Sequence, residues 1–124
     1  MVGVSLKLRL SDERALGPGK IRLLELIAET GSISAAGRAM KMSYRRAWSL
    51  VDELNHTFRK PVVVSRPGGA SGGGAALTAF GTEVVTRYRA IEGRIATSSR
   101  AHLAALERAL PAKANRRPRE VAPP

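Results

Sequence analysis

Two serines eleven residues apart, Ser32 and Ser43, each stand directly before a stretch of helical apolar spacing. After Ser32, Ile33, Ala36, Ala39 and Met40 repeat at that spacing. After Ser43, Tyr44, Ala47, Leu50, Val51, Leu54 and Phe58 form one stripe, while Arg45, Arg46, Ser49, Asp52 and Glu53 point elsewhere. Serine suits both positions because its hydroxyl accepts a hydrogen bond from a free amide of the first helical turn. The pattern predicts a short helix over 32–41, a tight turn near Lys41-Met42, and a second helix over 43–58 that Pro61 stops. The small residues Ala35, Ala36 and Ala39 let the two helices approach closely. Two short helices joined this way suggest a helix-turn-helix, with a plain three-helix core carrying solvated arginines as the alternative.

The flanking segments add the rest of a small domain. Val4, Leu6, Leu8 and Leu10 alternate with Ser5, Lys7 and Arg9, the period of a half-buried strand. Gly17-Pro18-Gly19 breaks the chain, and a helix follows with Ile21, Leu24, Ile27 and Ala28 on one face and Gly31 as its C′ residue. Val62-Val63-Val64 reads as a short strand and residues 75–78 as its return. The loop between them has five glycines in positions 68–74 and Arg66 at its base. From Thr78 to Leu110 there is no proline. Val84, Tyr88, Ile91 and Ile95 mark a face that Ser99, Leu103, Leu106 and Leu110 continue. One helix of about 33 residues, roughly 50 Å long, is expected there. It is longer than a small domain can cover, so its stripe requires a partner chain. The fold class is mainly α with a small β component: a winged helix-turn-helix with an N-terminal strand and a long C-terminal dimerisation helix. The expected division is a DNA-binding domain over 1–78, the dimerisation helix over 79–110 and a tail over 111–124.

Composition narrows the function. The chain has 124 residues, 44% hydrophobic, with a formal net charge of +11, two histidines and no cysteine. That excludes a disulfide framework, a thiol nucleophile and cysteine-based metal sites. No apolar run approaches the roughly 20 residues of a membrane-spanning helix. The N-terminus does not read as a secretory signal, so a cytoplasmic protein with no membrane partner is expected. The charge is uneven. Residues 31–66 carry seven cations against Asp52 and Glu53, a net +5. Residues 1–30 carry only +1, and the last fourteen residues carry +3. That proline- and alanine-rich tail reads as disordered, with a basic arm on nucleic acid as the alternative.

An α-helix fits the major groove of B-DNA, and its N-terminal residues reach the base edges. Ser43 and the free amides behind it suit a phosphate oxygen. Arg45 and Arg46 are long enough for guanine O6/N7 or phosphate. The glycine loop lies where a wing would meet the adjacent groove. No Gly-Lys-Ser/Thr follows it, which argues against a nucleotide-binding loop. Trp48, beside the core stripe, is expected to be a structural anchor rather than a stacking platform. His56 and His102 have no partner at ligand spacing, so neither metal nor cofactor is expected. No catalytic constellation stands out, so the chain does not read as an enzyme.

The stretch GSISAAGRAMKMSYRRAWSLVDELN resembles the N-terminal DNA-binding domain of the molybdate-responsive (ModE-type) transcription regulators, and more distantly the heads of LysR-type regulators. The resemblance rests on Gly31-Ser32-Ile33-Ser34, on Ser43-Tyr44-x-x-Ala47-Trp48, and on Gly72-Gly73-Gly74-Ala75-x-Leu77-Thr78 with Gly81 after it; it covers about residues 4–95. It implies a homodimer on a palindromic operator of double-stranded DNA, with a recognition helix from Ser43. The DNA-binding residues expected are Ser32, Ser34, Arg38, Ser43, Tyr44, Arg45, Arg46, Ser49, Arg66, Gly69, Ser71 and Gly73. Those expected to pair the subunits are Leu6, Leu8, Val84, Tyr88, Ile91, Ile95, Leu103, Leu106 and Leu110. Oxyanion-binding domains follow the dimerising helix in that family. Here a proline-rich tail follows, so a regulator without an attached sensor domain and without a molybdate or other effector site is expected. Two alternatives remain: an adaptor that pairs through the 78–110 stripe with a full-length regulator, and a non-specific DNA-coating protein.

Overall fold

A computed structural model describes residues 2–67 and 73–112, and all structural statements concern these. Among them the elements run β1 (Leu8–Arg9), β2 (Ala15–Leu16), α1 (Pro18–Thr30), α2 (Ile33–Ala39), α3 (Tyr44–Thr57), β3 (Val63–Arg66), β4 (Gly74–Leu77), α4 (Ala79–Ser98) and α5 (Arg100–Arg108). This is a mainly helical winged helix-turn-helix with two small antiparallel strand pairs. Among the described residues no helix is long and apolar enough to cross a membrane.

Helix α1 is the centre of the core. Pro18 starts it, and Gly31, at φ 71°, ends it with its N–H donated to the Ile27 carbonyl at 2.8 Å. Its face is wider than the spacing suggests. Leu23 and Leu26 are buried with Ile21, Leu24 and Ile27, whereas Ala28 is exposed. The reason is that α1 packs on α2, α4 and β4 at once. Leu54, Val62, Val84 and Tyr88 close this core from the other elements.

The N-terminal strand is shorter than its alternation predicts. Only Leu8 and Arg9 pair, opposite Leu16 and Ala15, because the partner strand ends where Gly17 and Pro18 open α1. The alternation is nevertheless real: Val2, Val4, Leu6 and Leu8 are half-buried and the residues between them exposed. The segment is pinned to the C-terminal helices at two points. The Tyr88 hydroxyl donates to the Leu6 carbonyl, and the Val2 N–H donates to Glu107 Oε2 at 2.8 Å.

The single long helix is also corrected. It is interrupted at Ser99, whose φ of −99° and ψ of 5° leave the α-helical well, although the Ser99 N–H still donates to the Ile95 carbonyl at 3.0 Å. The sequence Thr97-Ser98-Ser99 supplies the cause: such side chains compete for backbone carbonyls, and Ser98 Oγ donates to the Ile95 carbonyl at 3.3 Å. The tail from residue 113 lies outside the described residues.

Candidate nucleic-acid interface

Both predicted caps form. Ser32 Oγ accepts from the Ala35 N–H at 3.0 Å, and Ser43 Oγ from the Arg46 N–H at 3.1 Å. Between them the chain turns at Lys41, which takes φ 59°, and the Met42 N–H reaches back to the Gly37 carbonyl at 3.0 Å. The close approach of α2 and α3 depends on Gly37 more than on the alanines named from the sequence. A Cβ on Gly37 would lie 2.9 Å from Ala47 Cβ, whereas Ala39 is exposed and only Ala36 is fully buried.

Two sets of hydrogen bonds hold the hairpin beside this pair. Asn55 on α3 accepts from the Val62 and Val63 N–H groups at 2.8 and 3.0 Å and donates to the Val63 carbonyl at 3.0 Å. The Gly31 carbonyl accepts from the Ala75 N–H at 2.9 Å, which ties β4 to the turn before α2. The register Val63–Leu77 to Arg66–Gly74 then carries Arg66 out to the mouth of the loop. Nothing in the sequence reading pointed to Asn55. An amide spaced one turn after Val51 on an otherwise apolar edge, just ahead of a strand, was the available sign.

The surface so built has two hollows. Ser32, Ser34, Arg38, Tyr44, Arg66 and Gly73 line one, between α2, α3 and the hairpin, together with Ile33 and Ser65. Ser43, Arg45, Arg46 and Ser49 line the other. Trp48 lines both and forms the ridge between them. Ten of the twelve residues expected to bind DNA are thus gathered on one face, while Gly69 and Ser71 lie outside the described residues. Trp48 itself corrects an expectation. It is 51% exposed, and neighbouring Tyr44, placed on the apolar stripe from the sequence, is 58% exposed. Trp48 is turned roughly 100° about the helix axis from buried Ala47, so it leaves the core at the edge of the stripe.

Ion pairs engage several cations outside residues 31–66, although Lys7, Arg9, Arg94, Arg100 and Arg108 form none among the described residues. Arg14 and Lys20 pair with Glu53, Arg22 and Arg89 with Glu25, and Arg87 with Glu83. A hydrogen bond from Lys20 is the largest influence lowering the Glu53 carboxyl below the ordinary value, and one from Arg89 does the same for Glu25. None of the seven cations of residues 31–66 forms an ion pair among the described residues. Arg38 donates to neutral Ser34 Oγ at 2.8 Å, and no acidic residue stands in the first turn of α2 or α3. His56, in contrast to the sequence expectation, does have an acidic neighbour: Asp52 Oδ1 lies 3.6 Å from its Nδ1.

The residues expected to pair subunits divide. Val84 and Tyr88 are buried in the chain's own core, 7% and 1% exposed, and are unavailable to a second chain because α1 and the N-terminal segment already cover them. Leu6 and Leu8 pack partly on that core. Ile91, Leu106 and Leu110 are exposed, and Ile95 and Leu103 half-buried.

A tri-helical core, a capped second helix with a basic N-terminus and a hairpin beside it define a helix-turn-helix DNA-binding domain. The family described as bacterial regulatory helix-turn-helix protein, lysR family, matches residues 19–82, and the chain belongs to it. Its members bind double-stranded DNA as transcription regulators. The chain is 44% identical over 81 residues to the molybdenum-pterin-binding protein MopB of Rhodobacter capsulatus, covering 65% of this chain and 30% of that protein. It is 44% identical over 78 residues to the molybdenum transport protein ModE of Azotobacter vinelandii, covering 63% and 29%. To the DNA-binding transcriptional dual regulator ModE of Escherichia coli K12 it is 35% identical over 85 residues, covering 68% and 32%. The chain thus spans about a third of the length of these curated relatives.

Proposed function

We propose that the chain acts as a homodimer that recognises a palindromic operator, with α3 in the major groove and the hairpin between β3 and β4 on the adjacent DNA. The observation that carries this reading is the basic face around the N-terminus of α3, whose arginines form no ion pair among the described residues. Arg45 and Arg46 stand in its first turn with no carboxylate within 4 Å among the described residues, and Ser43, Ser49 and Tyr44 surround them. Free first-turn amides and long cations suit phosphate and guanine edges alike. Arg38 and Arg66 line the hollow between α2, α3 and the hairpin, where the hairpin would follow the backbone.

Pairing of two copies is assigned to the N-terminal segment with α4 and α5, through Leu6, Leu8, Ile91, Ile95, Leu103, Leu106 and Leu110. Support comes from the exposed apolar residues at the far end of α4 and on α5, and from a hollow whose apolar floor of Val2, Ala96, Leu103 and Ala104 is rimmed by Arg100, Glu107 and Arg108. A second copy related by a two-fold axis would place two α3 helices one turn of DNA apart, roughly 34–36 Å. No effector is assigned to this chain in this reading.

Selection of bound duplexes from a random pool tests the reading. Enriched sequences with two inverted half-sites about one helical turn apart are expected. Enrichment without symmetry would remove the homodimer, and no enrichment would favour non-specific coating.

A further inference from the structure

We propose that Trp48 is a specificity-determining residue whose indole packs on the C5-methyl group of a thymine in the major groove. The inference deepens the recognition-helix reading above and rests on it. Trp48 is the chain's one tryptophan and stands half in water although it borders a core stripe. Its Nε1–H donates to no protein group among the described residues. An indole held this way exposes apolar surface that a bound partner would cover. Its surroundings identify the partner's chemistry. Arg38 and Arg66 lie in the hollow on one side and Arg45 and Arg46 in the hollow on the other, none of them ion-paired. An apolar ridge between two cationic hollows fits a polyanion that shows an apolar group between its charged edges. The major groove has that arrangement, with phosphates along both walls and the thymine methyl on the floor.

Position along α3 agrees. Trp48 is five residues past Ser43, about 7 Å along the axis. That keeps it in the N-terminal half of the helix, the part that reaches base edges in this motif. Tyr44, one turn earlier on the same side, extends the apolar ridge toward the helix start.

The test uses the full chain and a duplex selected from a random pool, in which each thymine is replaced in turn by deoxyuridine, which lacks only the methyl. Burying one methyl group corresponds to about fourfold in affinity. The wild-type chain should lose about fourfold at one thymine of each half-site. Trp48→Ser should bind the parent duplex more weakly and show no further loss at that position. Trp48→Phe, which keeps an apolar face, should restore the loss. Thermal melting should show both variants folded at the temperature of the binding assay, so that a loss of binding is not a loss of fold. An unchanged deoxyuridine penalty in Trp48→Ser would overturn the proposal, as would wild-type indifference to every replacement. Preference for single strands over the duplex would also overturn it, since stacking would then be the indole's role. Failure of the unsubstituted duplex to be bound selectively would be seen before any replacement, and it would remove the recognition-helix reading together with this one.

Discussion

Gly81 stands so close to the carbonyl oxygen of Val62 that a Cβ at Gly81 would lie 2.1 Å from that oxygen. Thr78 closes the same corner: its N–H donates to the Val62 carbonyl at 3.0 Å, and its Oγ1 donates to the Pro61 carbonyl at 2.8 Å while accepting from the Gly81 N–H. The first turn of α4 is thereby seated on the start of β3, and the wing inherits its position from that seat. Gly81→Ala should cost about 3 kcal/mol, the upper end of overpacking, because the obstacle is backbone and cannot rotate away. Gly93→Ala on the same helix meets nothing within 4 Å and should gain up to about 1 kcal/mol from helix propensity. Urea denaturation of the two variants should move the midpoint in opposite directions.

Asn55 links the recognition helix to the hairpin through three hydrogen bonds. Asn55→Ala leaves the Val62 and Val63 backbone groups without that partner and should destabilise by about 1–3 kcal/mol. Hydrogen exchange should show the increase first at the Val62 and Val63 amides. A uniform increase over the whole chain would mean that the amide supports the core rather than the placement of the hairpin.

Much of this architecture is legible in the chain. Ser32, Ser43 and Gly31 announce helix boundaries because each solves a local problem of unpaired amides or of left-handed backbone, and local problems leave local marks. The hairpin is legible for the same reason, from β-branched residues on one side of a glycine run. Features that depend on what packs from elsewhere are not. Leu23 and Leu26 are buried because α1 is covered on several sides, which its own periodicity does not encode. The roles of Gly37 and Gly81 come from neighbours 10 and 19 residues away in sequence, Ala47 and Val62. A tryptophan beside a core stripe usually joins it; the exposure of Trp48 follows instead from the edge of α3 facing the gap between α2 and the hairpin. The break at Ser99 has a visible sign in Thr97-Ser98-Ser99, masked by the apolar stripe running through it.

Acid should unfold the chain through its paired carboxylates. Glu25 is held below the ordinary value of 4.5, first by its hydrogen bond from Arg89, and Glu53 first by that from Lys20. Their folded values lie below the unfolded ones, so each contributes stability that is full above about pH 4.5 and is lost as pH falls through the folded value. Tyr88 behaves oppositely: burial raises its hydroxyl above 10.0, so its contribution is lost as pH rises beyond that point. Thermal melts across pH should show a plateau between these limits. Glu25→Gln should lower the plateau and flatten the acid side; an acid side as steep as the wild type's would detach it from Glu25.

Leu106 is 59% exposed in the single chain. Leu106→Lys should therefore change the stability of the domain itself by less than about 0.5 kcal/mol. In the proposed dimer the same change buries an unpaired charge, so the variant should sediment as a monomer at micromolar concentration where the wild type sediments as a dimer. A wild-type chain that is monomeric there would favour the adaptor role over the homodimer.

The most direct measurement is the affinity of the wild type, Arg45→Ala, Arg46→Ala and Arg22→Ala for one selected duplex over a range of salt. Arg22 lies on α1, engaged by Glu25 and Glu29 away from the basic face. Wild-type affinity should fall steeply with salt as counterions are displaced. Each α3 variant should lose about 1–3 kcal/mol, roughly fivefold to 150-fold, if its guanidinium reads a guanine. Loss of a phosphate contact would instead reduce the salt slope by about one. Arg22→Ala should bind as the wild type does. Wild-type affinity and slope in both α3 variants would contradict the assignment of α3 as the helix that meets DNA.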